Sequence, residues 1–315
     1  MAYAKHIEHD SGLTTRMFVT GLLLVIVYGA FIALFIALGV NFAVVLVIAA
    51  ALIFAQYWFS DKLALWGMNG HEVTPEQAPE LHGAIDRLCA LADMPKPKVA
   101  IADTDIPNAF ATGRSPKSAV VCATSGLLRR LDEPEVEAVL AHELSHVAHR
   151  DVAIMTIASS LGVIAGLTTR FMFYAGLFGG GGRNDQNGQS LVVVEMIVLL
   201  VSVVVYAISF LLTRALSRYR ELSADRSGAI LIGRPSVLAA ALVKVTGEIG
   251  RIPTRDLRKA EPFNAFFFTP ALSQAPGPDG RKAFSIGQLF STHPTLERRL
   301  AQLSELEVEL GRPTS

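Results

Sequence analysis

Apolar and charged positions fall in blocks along the chain. From Met17 to Ser60 no residue carries a charge, a run roughly twice the ~20 residues needed to cross a bilayer. Gly39, Val40 and Asn41 form its one turn-forming break. The run therefore predicts a transmembrane hairpin over residues 17–60, with spans at 17–38 and 42–59, behind a polar arm at residues 1–16. Residues 61–151 have the composition of a water-exposed domain. Within it Leu81, Ile85, Leu88, Cys89 and Ala92 recur at helical spacing between Pro75 and Met94, after the opening Thr74-Pro75-Glu76-Gln77. Lys98 to Ala102 and Ser118 to Ala123 read as short strands. Asn108-Ala109-Phe110-Ala111-Thr112-Gly113 fits a further strand and a plain turn equally well. Asp151 with Arg170, then Glu195 with Arg214, bracket two more uncharged stretches. They predict a second hairpin over residues 152–213, with spans near 152–170 and 194–213, and residues 214–315 complete the polar domain.

Candidate chemistry enters at His142-Glu143-Leu144-Ser145-His146, read as H-E-x-x-H. On a helix, positions i and i+4 share a face, so both imidazoles can point at one metal ion. Glu143, one position round, can reach an activated water without ligating the metal, which is the geometry of a general base. Asp132-Glu133-Pro134-Glu135 is a helix start, and Val136, Val139, Leu140, Leu144 and Val147 continue at helical spacing. The motif therefore belongs on a helix.

Composition sharpens this picture. The chain is 51% hydrophobic and only 18% charged, with 28 basic and 28 acidic residues in 315. This points to a membrane protein, and no overall field recruits nucleic acid. Cys89 and Cys122 form no C-x-x-C and suit a reducing compartment or simply two core thiols. Lys5, Arg16, Lys62, Arg150, Arg214, Arg218 and Arg220 flank the spans on one side, against Arg183 on the other. The positive-inside rule then places both termini and the motif in the cytoplasm.

A catalytic zinc needs a third protein ligand and an open position. Glu221 is the candidate: His146 lies shortly before the third span and Glu221 shortly after the fourth, so at ~1.5 Å per residue an antiparallel hairpin brings both to a level about 10 Å above the hydrocarbon. Asp225, four residues on, suits a carboxylate that accepts the ring N–H of a ligand histidine. His149 is read as a surface or interfacial residue. Arg220, Glu221 and Asp225 would otherwise be a solvated charged face.

Ala141 to His146 with Arg150-Asp151, Arg220-Glu221-Leu222-Ser223-Ala224-Asp225, Asn108 to Gly113, and Ser291-Thr292-His293-Pro294 together resemble the HtpX family of bacterial membrane zinc metalloproteases. The resemblance covers nearly the whole chain. It implies an α+β integral membrane protein with about four transmembrane helices and a mainly helical, zincin-like (gluzincin) catalytic domain with a small β-sheet. It further implies an inner-membrane endopeptidase that faces the cytoplasm and removes misfolded membrane proteins, a quality-control and stress-response activity. One Zn2+ per chain would be held by His142, His146 and Glu221, with Glu143 as catalytic base. Asn108, Ala109, Phe110 and Ala111 would belong to an edge strand that holds substrate backbone. His293 is a candidate oxyanion stabiliser, against a reading as a helix-start residue before Pro294. The Phe263 to Phe268 stretch reads as a folded core loop. The rival reading is a membrane scaffold or chaperone with structural zinc, although such sites close all four positions with Cys or His and neither cysteine lies near the motif.

Overall fold

The structure is a computed structural model that describes residues 11–37, 43–178, 186–252, 268–269 and 291–311. The expected turn at 39–41, the glycine run 179–182, Lys5, Arg183, and Phe263, Phe266 and Phe267 lie outside the described residues.

Two long apolar helices open the chain, α1 (Ser11–Ala37) and α2 (Ala43–Trp58), and α3 (Ser60–Gly67) follows directly. A strand unannounced by the sequence pattern, β1 (Gly70–Glu72), precedes α4 (Pro79–Leu91). The latter starts later than its sequence signal: Thr74 to Ala78 fold into a turn, closed by Thr74 N–H donating to Gln77 Oε1 at 2.8 Å, and Pro79 begins the helix. Next come β2 (Lys98–Ala102), β3 (Ala109–Thr112) and β4 (Val120–Thr124). The sheet order is β1-β2-β4-β3, with β2 and β4 parallel and the outer pairs antiparallel. The segment 108–113 thus resolves into an edge strand.

After α5 (Ser125–Arg130), α6 (Glu133–Ala148) carries the H-E-x-x-H motif. Its predicted start is realised: Asp132 N–H donates to Glu135 Oε2 at 2.9 Å, and Pro134 sits in the first turn. Then α7 (Asp151–Phe178) and α8 (Gln186–Ile232) form the second apolar pair, and α9 (Pro235–Arg251) and α10 (Leu296–Leu310) pack behind the site. One buried core joins the sheet to α4, α6, α9 and α10 through Ile85, Leu88, Leu140, Leu242 and Leu303.

Among the described residues three helices are long and apolar enough to cross a membrane: Gly12–Leu34, Asp151–Phe171 and Met196–Ile232. The expected second span is the shorter apolar helix Leu46–Trp58. At ~1.5 Å per residue such a helix falls short of the ~30 Å hydrocarbon core. Phe18, Val25, Ile157 and Leu200 point outward from these helices, each at least 66% exposed. Their inner faces meet through Leu24, Ala158 and Leu216, and through Phe31, Ala165, Val198 and Val205. Tyr28 adds a cross-link by donating to the carbonyl of Ile157 at 2.9 Å.

Candidate metal centre

Two helices build the centre. On α6, His142 is 1% exposed and Glu143 4%, so the motif faces the interior while its start is anchored in solvent. The helix stops at Ala148, and Arg150 turns the chain with φ 58 into α7. By contrast α8 is 47 residues long, about 70 Å, and continues unbroken from its apolar part through Glu221 and Asp225. The return of the chain through α7 and α8 brings Glu221 back to the two histidines, and close packing of α8 on α6 holds it there. A Cβ added at Gly228 would lie 2.8 Å from the backbone nitrogen of His142, so the absence of a side chain there lets α8 lie directly on α6. Asp225 and Glu221 then fall one and two turns along the same contact.

The result is a compact donor set. His142 Nε2 and His146 Nε2 are 3.1 Å apart, and the Glu221 carboxylate oxygens lie 3.7 and 3.6 Å from them. Tetrahedral bonds of about 2.0–2.1 Å place ligand atoms roughly 3.3–3.5 Å apart, so these three groups fit a zinc-sized ion. They also form the one His, Cys, Asp or Glu cluster of metal-binding spacing among the described residues. Two histidines and one carboxylate leave a fourth position for water or substrate, as catalytic rather than structural sites do.

Behind each imidazole stands a carboxylate, and behind each carboxylate a buried arginine. His142 Nδ1 lies 2.9 Å from Asp225 Oδ1, and Arg299 of α10 donates to both Asp225 oxygens at 2.6 Å. His146 Nδ1 lies 2.6 Å from Asp151 Oδ2, and Arg220 pairs with Asp151. Asp225 thus lies at the ring nitrogen of a motif histidine. Asp151 and Arg220 entered the sequence reading as parts of the family-like motifs and as span-flanking charges, with no role at the centre, and Arg299 was not singled out. The signal that could have found Asp151 is its place five residues beyond the second histidine.

Glu143 lines the same cavity, and its Oε2 accepts the Ala111 N–H at 3.0 Å. Burial, reinforced by the nearby Glu221 carboxylate, pushes its pKa up to about 8 against the pull of His146 and the Ala111 N–H. Burial lowers the His142 pKa against the opposing pull of Asp225, which favours the neutral ligand form. Phe110, Ala111 and Thr112 line the cavity with Gly113. Asn108 does not: it is fully buried, donates its N–H to Thr124 Oγ1 at 2.9 Å and accepts the Phe268 N–H on Oδ1 at 2.8 Å. Ala109 is buried as well and absent from the lining. The service of Asn108 is indirect, since the Phe268 ring packs nearly perpendicular to His142, centroids 5.0 Å apart. His293 lines the cavity with Nε2 3.8 Å from Glu221 Oε2 and its other ring nitrogen 2.9 Å from Thr292 Oγ1. His149 caps α6 near Ser227, away from the donor set.

Comparison with known proteins gives this geometry a context. The profile of Peptidase family M48 matches residues 75–307. The chain is similar to "Protease HtpX homolog 1" of Streptomyces coelicolor, 59% identical over 96% of this chain and 95% of the relative. It is 50% identical to "Protease HtpX homolog" of Moorella thermoacetica over 97% and 98%, and 48% identical to "Protease HtpX homolog 2" of Methanosarcina mazei over 96% and 98%. Among solved structures, S. mikatae Ste24p shares the fold with a TM-score of 0.50 at 18% identity, over 92% of this chain and 67% of that one.

Proposed function

The chain belongs to peptidase family M48, among the HtpX proteases, and from that premise we propose that it is a zinc metalloendopeptidase of the bacterial inner membrane that cleaves misfolded or damaged membrane proteins at a site facing the cytoplasm. The observation that carries the proposal is the cluster of His142, His146 and Glu221 with the buried carboxylate of Glu143 beside it. Asp225 and Asp151, each at a ring Nδ1, leave the Nε2 atoms of His142 and His146 as the donors toward the ion. When bound, zinc supplies Lewis acidity, which acidifies water and polarises a carbonyl.

The protein's own groups do the rest. Glu143 takes a proton from the attacking water and returns it to the leaving amine. Its low-dielectric surroundings suit both halves of that task, because they raise its proton affinity toward neutrality. The Ala111 N–H holds the carboxylate in place. Next to β3 the Asn108 carbonyl accepts the Thr124 N–H from the β4 side, so by strand alternation the peptide group of Ala111 faces away from β4 toward the cavity, its N–H on Glu143 and its carbonyl on the same side. An extended substrate can pair there, which puts its scissile bond beside Glu143. His293, with Nε2 3.8 Å from the Glu221 carboxylate, would serve as a donor to the developing oxyanion.

The test is proteolysis of an unfolded polypeptide by detergent-purified protein, wild type against Glu143→Gln, with bound zinc quantified in both. Cleavage by the wild type alone at equal zinc supports the reading. Equal zinc with no cleavage by either, across several substrates, favours a zinc-binding scaffold.

A further inference from the structure

The cavity at the metal centre has a second end that the proposed chemistry does not use. Its volume is about 370 Å3, within the range of ligand sites. One end is the reaction centre. The other is formed by Gln56 of α2, Val152, Met155, Thr156 and Ser159 of α7, and Ser217 of α8. Ser159 lies eight residues beyond Asp151, about 12 Å along the helix axis. Both α7 and α8 are helices long and apolar enough to cross a membrane, and α2 is the shorter apolar helix. The cavity thus extends from the donor set along the first two turns of α7, one of the helices long and apolar enough to cross a membrane.

The lining of that lower limb has two characters. Val152 and Met155 give it an apolar wall. Thr156 Oγ1 donates to the Val152 carbonyl at 2.7 Å and Ser159 Oγ to the Thr156 carbonyl at 3.2 Å, so each hydroxyl's proton is used within its own helix and its oxygen still offers lone pairs. Gln56 adds an amide that can donate and accept, at the end of a helix with no polar side chain before it. A folded transmembrane helix needs none of this, because its backbone is satisfied internally and it measures about 10 Å across. An extended segment at the same depth needs partners for its peptide groups and apolar surface for its side chains. Only it makes both demands.

We propose that this limb is an intake site for an extended, unfolded segment of a membrane-spanning polypeptide, which it passes upward to β3 and Glu143. The 12 Å length accommodates about four residues at ~3.3 Å each. The proposal rests on the peptidase reading and adds the route and the conformation in which the substrate arrives.

The experiment uses the full chain in liposomes, with two unfolded substrates that share one cleavage sequence and one cysteine, the first carrying a glycine-interrupted apolar span and the second fully soluble. Because Cys89 and Cys122 are buried, Ser159→Cys in a Glu143→Gln background provides the accessible thiol for oxidative cross-linking. Ile157→Cys, on the outward face of the same turn at 70% exposure, is the control. The expected result is at least tenfold more cross-linking of the anchored substrate at position 159 than at 157. In a second arm, Ser159→Trp lowers kcat/KM for the anchored substrate about tenfold more than for the soluble one. Equal cross-linking at both positions, or an equal loss for both substrates, overturns the intake site; if Ser159→Trp fails to hold zinc, the cross-linking arm decides. Wild-type protein that holds zinc and cleaves neither substrate overturns the peptidase reading, and the intake site with it.

Discussion

Asp151 stands at the junction of the membrane hairpin and the metal centre: it is the first residue of α7, contacts His146 Nδ1 and is paired with Arg220 of α8. Replacing its carboxylate with an amide keeps the size and removes the anionic acceptor that fixes the imidazole. Asp151→Asn should weaken zinc affinity about 10- to 100-fold, read by competition with a chelator, at an unchanged far-UV spectrum, with partial recovery in Asp151→Glu. Glu143 gives a second residue-level expectation. With its folded pKa raised to about 8, the metal-free protein retains a proton that the unfolded chain releases near pH 4.5, so between those values folded stability falls as pH rises. Glu143→Gln removes that slope. The metal-free variant should melt above metal-free wild type at pH 8, on the order of 5 °C, and close to it at pH 5. A variant that melts lower at pH 8 would contradict the burial argument.

At the scale of elements, the α6–α8 contact is the constraint that bears on the centre. Gly228→Ala places a Cβ 2.8 Å from His142 N and 2.9 Å from its Cα, both backbone atoms, so α8 must retreat and carry Glu221 with it. The expected outcome is a loss of about 1–3 kcal/mol by denaturant titration together with weaker zinc binding. Gly247→Ala on α9, where nothing lies within 4 Å, should instead be neutral or stabilising by up to ~1 kcal/mol. The existence of α6 was legible because capping residues, proline and apolar spacing agree along one short segment. The start of α4 was not, because Thr74-Pro75 and Pro79 are both acceptable openings and the choice fell to the turn hydrogen bonds at Thr74. β1 was missed for a related reason: three residues paired to β2 leave no periodicity to read.

Across the whole molecule, the centre is assembled from distant segments, and its last part comes from the C-terminal helix. Arg299 of α10 is 1% exposed, holds both oxygens of Asp225, donates to the Phe268 carbonyl at 2.8 Å and lies over the Phe268 ring. Leu303 and Leu306 seat α10 in the same core as Leu238 and Leu242 of α9. Removal of residues 291–315 should leave a protein that still inserts in the membrane and no longer retains zinc, checked by carbonate extraction and metal analysis. Arg299→Met should reproduce the zinc loss with a destabilisation of about 3–5 kcal/mol, because it strands a buried carboxylate. Retention of zinc by both would show that Asp225 positions His142 without its arginine.

The sequence by itself determined what depends on neighbours along the chain. The uncharged runs mark the apolar helices, the capping box and spacing mark α6, and the i to i+4 rule puts His142 and His146 on one face. Glu221 was reachable only through the expected return of an antiparallel hairpin, and Asp225 through its place four residues on. Tertiary structure decided what depends on distance in space: that Gly228 lets α8 touch α6, that Asp151 and Arg299 back the two imidazoles, that Asn108 supports Phe268 instead of facing the cavity. The reason is physical. Hydrophobic period and capping are local free energies that recur at fixed spacing, whereas a buried ion pair such as Arg299 with Asp225 depends on contacts between segments 74 residues apart, whose meeting no local pattern encodes.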